Sequence, residues 1–190
     1  MSTQPNHLLS VEEYLRFEAT SEVRHEYFRG EVFAMAGGTP SHARILVNLI
    51  REFGIGLRGC ACEIFGSGLG VKLPSGLYTY PDASISCSPQ FEGNFLLNPL
   101  VLFEILSEST EAYDRGKKFQ QYRELSSLQT YVLIAQDSLY VEQYKRGQGG
   151  WTMQDLTALA HKLILDLPSG ELVSVDLSLL YEGVLTDSPS

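Results

Sequence analysis

Two acidic residues lie in stretches of sequence where a charged side chain is costly. Asp82 follows Pro81 at the head of a short strand-like run, and Glu104 interrupts the apolar run of residues 100–106. A carboxylate inside such a strand is unfavourable to bury unless it is paired or binds a cation. Two acids on neighbouring strands, with a lysine nearby, would form a site for a divalent metal ion.

The two-residue period of a strand indicates which side chains share a face. Asp82 falls on the same side as Ser84 and Ser86, and Glu104 falls among leucines. If the two strands pair with the intervening loop between them, the two carboxylates lie close together and raise each other's pKa unless a cation intervenes. Magnesium or manganese would supply that cation, lower the pKa of a bound water molecule and polarise a phosphate.

A lysine follows on the next predicted helix. Asp114, Lys118 and Tyr122 are spaced at i, i+4 and i+8, so they share one helical face. Lys118 would serve the site if its ammonium group points back toward Glu104, where it would orient the attacking water or stabilise charge in the transition state. Lys117 projects about 100° away and is the weaker candidate.

Each of these residues also has an ordinary structural interpretation. Asp82 after Pro81 is a common turn former. Glu104 would be equally well explained by a buried ion pair with an arginine or a lysine. Asp114 and Lys118 would form a surface pair that contributes about 0.3 kcal/mol.

The surrounding sequence predicts three helices that frame the candidate site. A capping box of Ser10 and Glu13 opens the first helix, which ends near residue 18. The second begins at residues 39–41, with Pro40 in its first turn. Its apolar face consists of Ile45, Leu46, Leu49, Ile50, Phe53 and Leu57. The third begins at Ser109 or Thr110 and ends near residue 125.

Strands are predicted between these helices. Three of them lie at residues 62–65, 70–73 and 83–87, and residues 130–135 and 139–144 are predicted to form a hairpin. Two more short strands surround an Arg29-Gly30 turn within residues 27–35. Residues 89–99 are predicted as a loop, a further strand or edge piece begins at Trp151, and residues 163–180 lack a clear pattern. The run 100–106 is predicted as a central strand covered on both faces. This order predicts an α/β domain in which helices flank a mixed sheet.

Length and composition predict a folded protein. A chain of 190 residues, 44% hydrophobic and 19% charged, is sufficient for one domain over residues 1–190 with a full core. No apolar run approaches the roughly 20 residues that span a bilayer, and residues 1–6 lack a secretory signal. We therefore expect no membrane partner and a cytoplasmic protein. Cys60, Cys62 and Cys87 cannot all pair, and buried thiols in a reducing cytoplasm are expected.

The negative net charge of the chain limits the partners it can bind. A formal net charge of −9 argues against strong general affinity for nucleic acid, which favours a basic footprint. A nuclease can nevertheless concentrate acids at a metal site and bases elsewhere, and an oligomer can assemble a local basic face.

A set of short segments occurs in a defined order along the chain. The segments are residues 27–31, Gly37-Gly38-Thr39 with His42, Tyr80-Pro81-Asp82, and residues 104–110, 113–122 and 127–133. In this order, over about residues 8–155, they resemble the Uma-two family, a large bacterial family of the PD-(D/E)XK nuclease fold. The resemblance implies a restriction-endonuclease-like core and hydrolysis of phosphodiester bonds in DNA with Mg²⁺ or Mn²⁺.

The resemblance also implies roles for individual residues. Asp82 and Glu104 correspond to the two metal-binding acids. The usual lysine two residues after the second acid is replaced by Leu106, and Lys118 on the following helix takes its place.

Three further residues are candidates to complete the site. Glu31 fits the acid that many such nucleases contribute from outside the two central strands, and Glu26 is the reserve for that role. His42 would face the metal or the phosphate. Alternatively, Glu31 is a solvent-facing strand residue, and His42 is an ordinary residue at the N-terminus of a helix.

Three functions remain open from the sequence. The first is a metal-dependent DNA endonuclease, for which a homodimer is expected because cutting both strands usually takes two active sites. The second is a binding or assembly module that keeps the fold without efficient catalysis, as the acidic charge and Leu106 suggest. The third is a metal-dependent phosphohydrolase that acts on another substrate.

Overall fold

The computed structural model describes residues 8–35 and 37–184. The helices are α1 (Val11–Thr20), α2 (Pro40–Gly56), α3 (Glu111–Tyr113), α4 (Phe119–Tyr122) and α5 (Leu177–Leu180), and a π-helical turn, Asp114–Lys118, joins α3 to α4. The strands are β1 (His25–Phe28), β2 (Glu31–Ala34), β3 (Cys62–Gly66), β4 (Gly70–Lys72), β5 (Tyr78–Thr79), β6 (Ala83–Cys87), β7 (Phe91–Glu92), β8 (Phe95–Leu96), β9 (Val101–Leu106), β10 (Thr130–Ala135), β11 (Val141–Gly147), β12 (Gly150–Leu156), β13 (Lys162–Asp166) and β14 (Leu172–Asp176).

Local signals set the first helices and the first hairpin. The Ser10 hydroxyl accepts from the Glu13 backbone N–H and the Glu13 carboxylate accepts from that of Ser10, which confirms the capping box. The helix extends two residues beyond its predicted end at residue 18. Arg29 and Gly30 have φ angles of 50° and 96°, the left-handed values that a tight turn between β1 and β2 requires.

A central mixed sheet organises the fold. Its strand order is β12-β11-β10-β9-β6-β3, with β9 parallel to β10 and antiparallel to β6. All six residues of β9 are buried, because helices or other strands cover both faces of the sheet. The predicted α/β class, mixed sheet and central strand are therefore confirmed, whereas the assignment of the whole chain to one domain stays a prediction.

The two faces of the central sheet pack against different elements. On one face, Val101, Phe103 and Ile105 pack with α2, the β13–β14 hairpin and α5. On the other, Leu102 and Leu106 pack with residues of β4, β8, α4 and β10. Glu104 lies between these two leucines along β9, so its carboxylate faces the side of the sheet that carries the π-helical turn.

A second sheet lies beside the central one and was not predicted as a separate unit. Its order is β2-β1-β5-β4-β8-β7. The prediction of a loop over residues 89–99 was wrong in part, because β7 and β8 pair there as a short hairpin. Strands of two residues, such as β5, β7 and β8, are too short to show a two-residue period, so the pattern could not reveal them.

The prediction of buried thiols was wrong for two of the three cysteines. Cys62 on β3 lies directly opposite Cys87 on β6, and a disulfide joins them. Sequence spacing alone could not show this register, which depends on the pairing of two strands more than 20 residues apart. Cys60 is free and half-buried. Among residues 8–35 and 37–184, no helix is long and apolar enough to cross a membrane.

Candidate active site

A cleft of about 780 Å³ opens beside the carboxyl end of β9. The hairpin β1–β2, the start of α2, residues 105–110 and the π-helical turn form its walls. Its acidic and basic lining residues are Glu26, Glu31, His42, Asp82, Glu104, Asp114, Lys117 and Lys118. All the candidate site residues named from the sequence therefore line one cleft.

Pairing of β6 with β9 brings the first two acids together. Ala83 lies opposite Phe103, so the preceding residue, Asp82, falls beside Glu104. Oδ2 of Asp82 accepts a hydrogen bond of 2.7 Å from the backbone N–H of Ile105. This bond fixes the Asp82 carboxylate against β9, next to Glu104, as the period-two pattern predicted.

His42 holds the other oxygen of Asp82. Its Nε2 lies 3.0 Å from Oδ1 of Asp82. The hydrogen bond to Asp82 raises the pKa of His42, although burial acts in the opposite direction. Thr39 caps α2 by accepting from the backbone N–H of His42 at 3.1 Å, so the helix start positions the imidazole.

Lys118 lies at the centre of a buried group of carboxylates. Its Nζ is 2.8 Å from Oε1 of Glu104, 3.2 Å from Oε1 of Glu26 and 3.5 Å from Oδ1 of Asp114. The lysine is only 5% exposed. The alternative of a surface pair between Asp114 and Lys118 is therefore wrong, whereas a buried ion pair of Glu104 is present. Asp114 and Lys118 both belong to the π-helical turn, a feature that is frequent at functional sites.

Two hydroxyl groups complete this buried group. The Tyr122 hydroxyl donates to Oε1 of Glu104 at 2.8 Å. Thr79 donates to Oε1 of Glu26 and lies 3.4 Å from the Tyr122 hydroxyl. Tyr122 was on the predicted face of Asp114 and Lys118, but Thr79 gave no sequence signal because it belongs to the two-residue strand β5.

The electrostatics of the site favour an added cation. Burial raises the pKa of Glu104 well above its ordinary value, and Asp114 and Asp82 add to this effect although Lys118 opposes it. Burial alone would lower the pKa of Lys118, but Glu104 and the other acids around it raise that pKa well above the ordinary value. Lys118 therefore stays protonated, and its single charge does not balance the acids around it.

The third acid at the lysine is Glu26 rather than Glu31. Glu26 is buried and contacts Lys118, whereas the Glu31 residue is exposed at the edge of the same cleft. Both acids lie on the same face of the hairpin, because Glu31 lies opposite Phe28. They differ in strand: Glu26 is on β1, which pairs with β5 and its Thr79, whereas Glu31 is on the edge strand β2. Lys117 also lines the cleft and is exposed.

The donor set of Asp82 and Glu104 fits a hard divalent cation. Both contacts of Glu104 with Lys118 and Tyr122 use Oε1, so Oε2 is the oxygen left to face a cation. Over residues 8–35 and 37–184, no group of three or more His, Cys, Asp or Glu side chains is arranged to hold a metal ion. Mg²⁺ does not need such a group, because it keeps several waters and binds one or two carboxylates plus substrate phosphates.

Comparison with known proteins gives the family of the chain. Residues 11–178 match the model of the Uma2 (Uma-two) family, described as "Putative restriction endonuclease". The chain belongs to this family. The resemblance seen in the ordered sequence segments is thereby confirmed.

Two proteins of one organism are similar to this Uma2 chain. "Uncharacterized protein slr1290" of Synechocystis is 40% identical over 154 residues, which cover 79% of this chain and 81% of that protein. "Uncharacterized protein sll1609" of the same organism is 32% identical over 155 residues, 78% of this chain and 88% of that protein.

A solved structure shares the fold of this Uma2 chain. It is described as "a putative nuclease belonging to DUF820" from Anabaena variabilis. The TM-score is 0.72 at 19% identity, and the match covers 95% of this chain and 100% of the other. The restriction-endonuclease-like fold expected from the sequence is consistent with this match.

Proposed function

We propose that this Uma2 chain is a divalent-metal-dependent nuclease that hydrolyses phosphodiester bonds in DNA. The observation that carries the proposal is the meeting of Asp82 and Glu104 at one end of a cleft where buried acids outnumber the cations. An excess of buried negative charge is unfavourable in a protein that binds no cation.

Asp82 and Glu104 would hold the metal ion, which is Mg²⁺ or Mn²⁺. When bound, the ion would lower the pKa of a water molecule and neutralise charge on the phosphate. The chain holds both ligands rigidly, because Ile105 and His42 fix Asp82 while Tyr122 and Lys118 fix Glu104.

Lys118 acts through its charge rather than as a base. Its raised pKa keeps the ammonium group protonated at neutral pH. From its position 2.8 Å from Glu104, the charge of the group would orient the attacking water or stabilise charge on the phosphate in the transition state. Glu26 and Asp114 hold it there, and His42 positions Asp82.

A homodimer in the cytoplasm is part of the same proposal. Two copies would present two clefts, an arrangement that serves cleavage of both strands when the DNA is a duplex.

Cleavage of DNA tests the proposal. Supercoiled plasmid and circular single-stranded DNA are incubated with Mg²⁺ or Mn²⁺ and with wild type, Asp82→Asn or Asp166→Asn. Asp166 pairs with Lys145 at the surface, so its variant is the matched control for loss of one carboxylate. We expect metal-dependent cleavage by wild type and Asp166→Asn but not by Asp82→Asn. No metal-dependent cleavage, or equal cleavage by Asp82→Asn, would refute the proposal.

A further inference from the structure

We propose that the cleft binds an unpaired nucleobase, so that the substrate is single-stranded DNA rather than an intact duplex. This inference rests on the proposed function and deepens it by naming the form of the substrate. Three features of the cleft that the metal site does not use support it: exposed aromatic rings, an unpartnered amide oxygen and a shortage of basic side chains.

Two aromatic rings border the cleft with much of their surface in solvent. Phe33 on β2 is 52% exposed and Tyr113 at the end of α3 is 37% exposed, and both line the cleft that contains Asp82 and Glu104. Aromatic side chains that line a nucleic-acid site stack on bases, and the contact tolerates any sequence because every base has a π-face. The two rings are therefore suited to receive bases next to the acids.

Gln121 supplies a hydrogen-bonding group in the same cleft. Among the described residues, its buried Oε1 has no hydrogen-bond partner, although most buried polar atoms in folded proteins have one. Because this oxygen has almost no exposed surface, rotation of the Gln121 side chain toward the cleft would let it accept from an N–H group of a ligand. The amino and imino groups on the edges of bases are such donors. A paired base keeps one amino N–H free in a groove, but its imino N–H and the rest of its Watson–Crick edge are free only when the base is unpaired.

The charges of the cleft do not suit a duplex. Five acids line it against two lysines, and one of these, Lys118, is already bound to carboxylates. Duplex binding depends on many contacts between basic side chains and phosphates. Elsewhere, several basic residues are also paired with acids: Arg51, Lys72, Arg115, Lys145 and Lys162. Stacking must therefore contribute much of the affinity.

The size of the cleft agrees with this substrate. Its volume of about 780 Å³ lies in the range of pockets that enclose small ligands, roughly 300–1,000 Å³. Such a space is suited to one or two nucleotides whose bases have left the stack. An unpaired strand presents them without the cost of opening a duplex.

Binding without cleavage tests the inference. Fluorescence anisotropy is measured in Ca²⁺ with a labelled single-stranded oligonucleotide, its blunt duplex and an abasic strand of equal charge. The variants are Phe33→Ala, Phe33→Trp, Tyr113→Leu and Gln121→Ala. Phe91→Ala is the control, because Phe91 is 50% exposed but lies outside the cleft lining.

We expect the single strand to bind at least about 10-fold more tightly than the duplex or the abasic strand. Phe33→Ala and Tyr113→Leu should each weaken its binding about 10-fold, and Gln121→Ala should weaken it less. Phe33→Trp should bind more tightly than Phe33→Ala because it keeps an aromatic ring, and the control Phe91→Ala should bind as wild type does. Equal binding of duplex and single strand, or of the abasic strand, would overturn the inference, as would wild-type affinity of Phe33→Ala and Tyr113→Leu.

The two proposals fail in different ways. Base-dependent binding in Ca²⁺ without cleavage in Mg²⁺ or Mn²⁺ would refute the nuclease and keep base recognition. Cleavage that depends on Asp82 but acts equally on duplex DNA and ignores Phe33 would refute base recognition alone.

Discussion

The Tyr122 hydroxyl donates to Oε1 of Glu104 at 2.8 Å, on the buried side of the candidate metal site. Lys118 contacts the same oxygen at the same distance, so both partners leave Oε2 for the cleft. Tyr122 is fully buried and its ring cannot approach the cation itself. It therefore acts as a positioning residue that orients a metal ligand.

Tyr122→Phe should weaken metal binding without a direct contact to the metal. Loss of a partner that orients a ligand typically costs about 10-fold in metal affinity, and we expect that loss for Mn²⁺. Calorimetric titration with Mn²⁺ measures it. Tyr131→Phe is the matched control, because it removes an equally buried hydroxyl that donates instead to the backbone carbonyl of Asp114. Equal Mn²⁺ affinity of Tyr122→Phe and wild type would contradict the positioning role.

Lys118→Met should destabilise the protein most strongly when no metal is present. The change leaves Glu26, Glu104 and Asp114 without their shared cation, and an uncompensated buried charge costs about 3–5 kcal/mol. Mn²⁺ should recover part of this loss. Urea unfolding with and without Mn²⁺ measures both effects, and Lys145→Met, which breaks a surface pair, serves as control. A cost below about 1 kcal/mol would show that the acids do not need the lysine.

Glu104→Gln should become more stable relative to wild type as pH rises. The unfolded carboxyl ionises near 4.5, and burial raises its pKa in the folded state. The proton kept by the folded state therefore stabilises wild type below about pH 4.5, and this contribution is lost as pH rises through the folded pKa. Glutamine has no proton to lose.

The difference in unfolding free energy between the two proteins measures this linkage. It is determined by urea unfolding without metal at several pH values between about 5 and 8. A difference that stays constant over that range would show that Glu104 has no raised pKa.

Leu106→Lys should fail to replace Lys118. Leu106 is buried among apolar residues of the central sheet and lies outside the lining of the candidate cleft. A lysine there would be a buried unpaired charge, so we expect a loss of about 3 kcal/mol or more and no DNA cleavage when Lys118→Met is added. Unfolding and cleavage assays check both expectations. Cleavage by the double variant would contradict this expectation and show that a lysine at position 106 reaches the site.

Local patterns predicted the parts of the site that lie close in sequence or on one simple strand pair. The period of two placed Asp82 and Glu104 together, and helical spacing placed Lys118 and Tyr122 on one face. The family resemblance was needed to relate these residues to nuclease chemistry.

The remaining contacts depend on pairing between distant strands. Glu26 meets Thr79 only because β1 pairs with β5, and Cys62 meets Cys87 only because β3 pairs with β6. The pairing partner of a strand and its register come from the packed sheet, so the pattern within one segment does not contain them. For this reason the choice between Glu31 and Glu26 at Lys118 required the structure.

Binding of Mn²⁺ to the protein without DNA tests the central claim most directly. Calorimetric titration should show one saturable site in wild type and in Asp166→Asn, and should lose it in both Asp82→Asn and Glu104→Gln. Absence of Mn²⁺ binding by folded wild type would contradict the account, and so would undiminished binding by Asp82→Asn and Glu104→Gln.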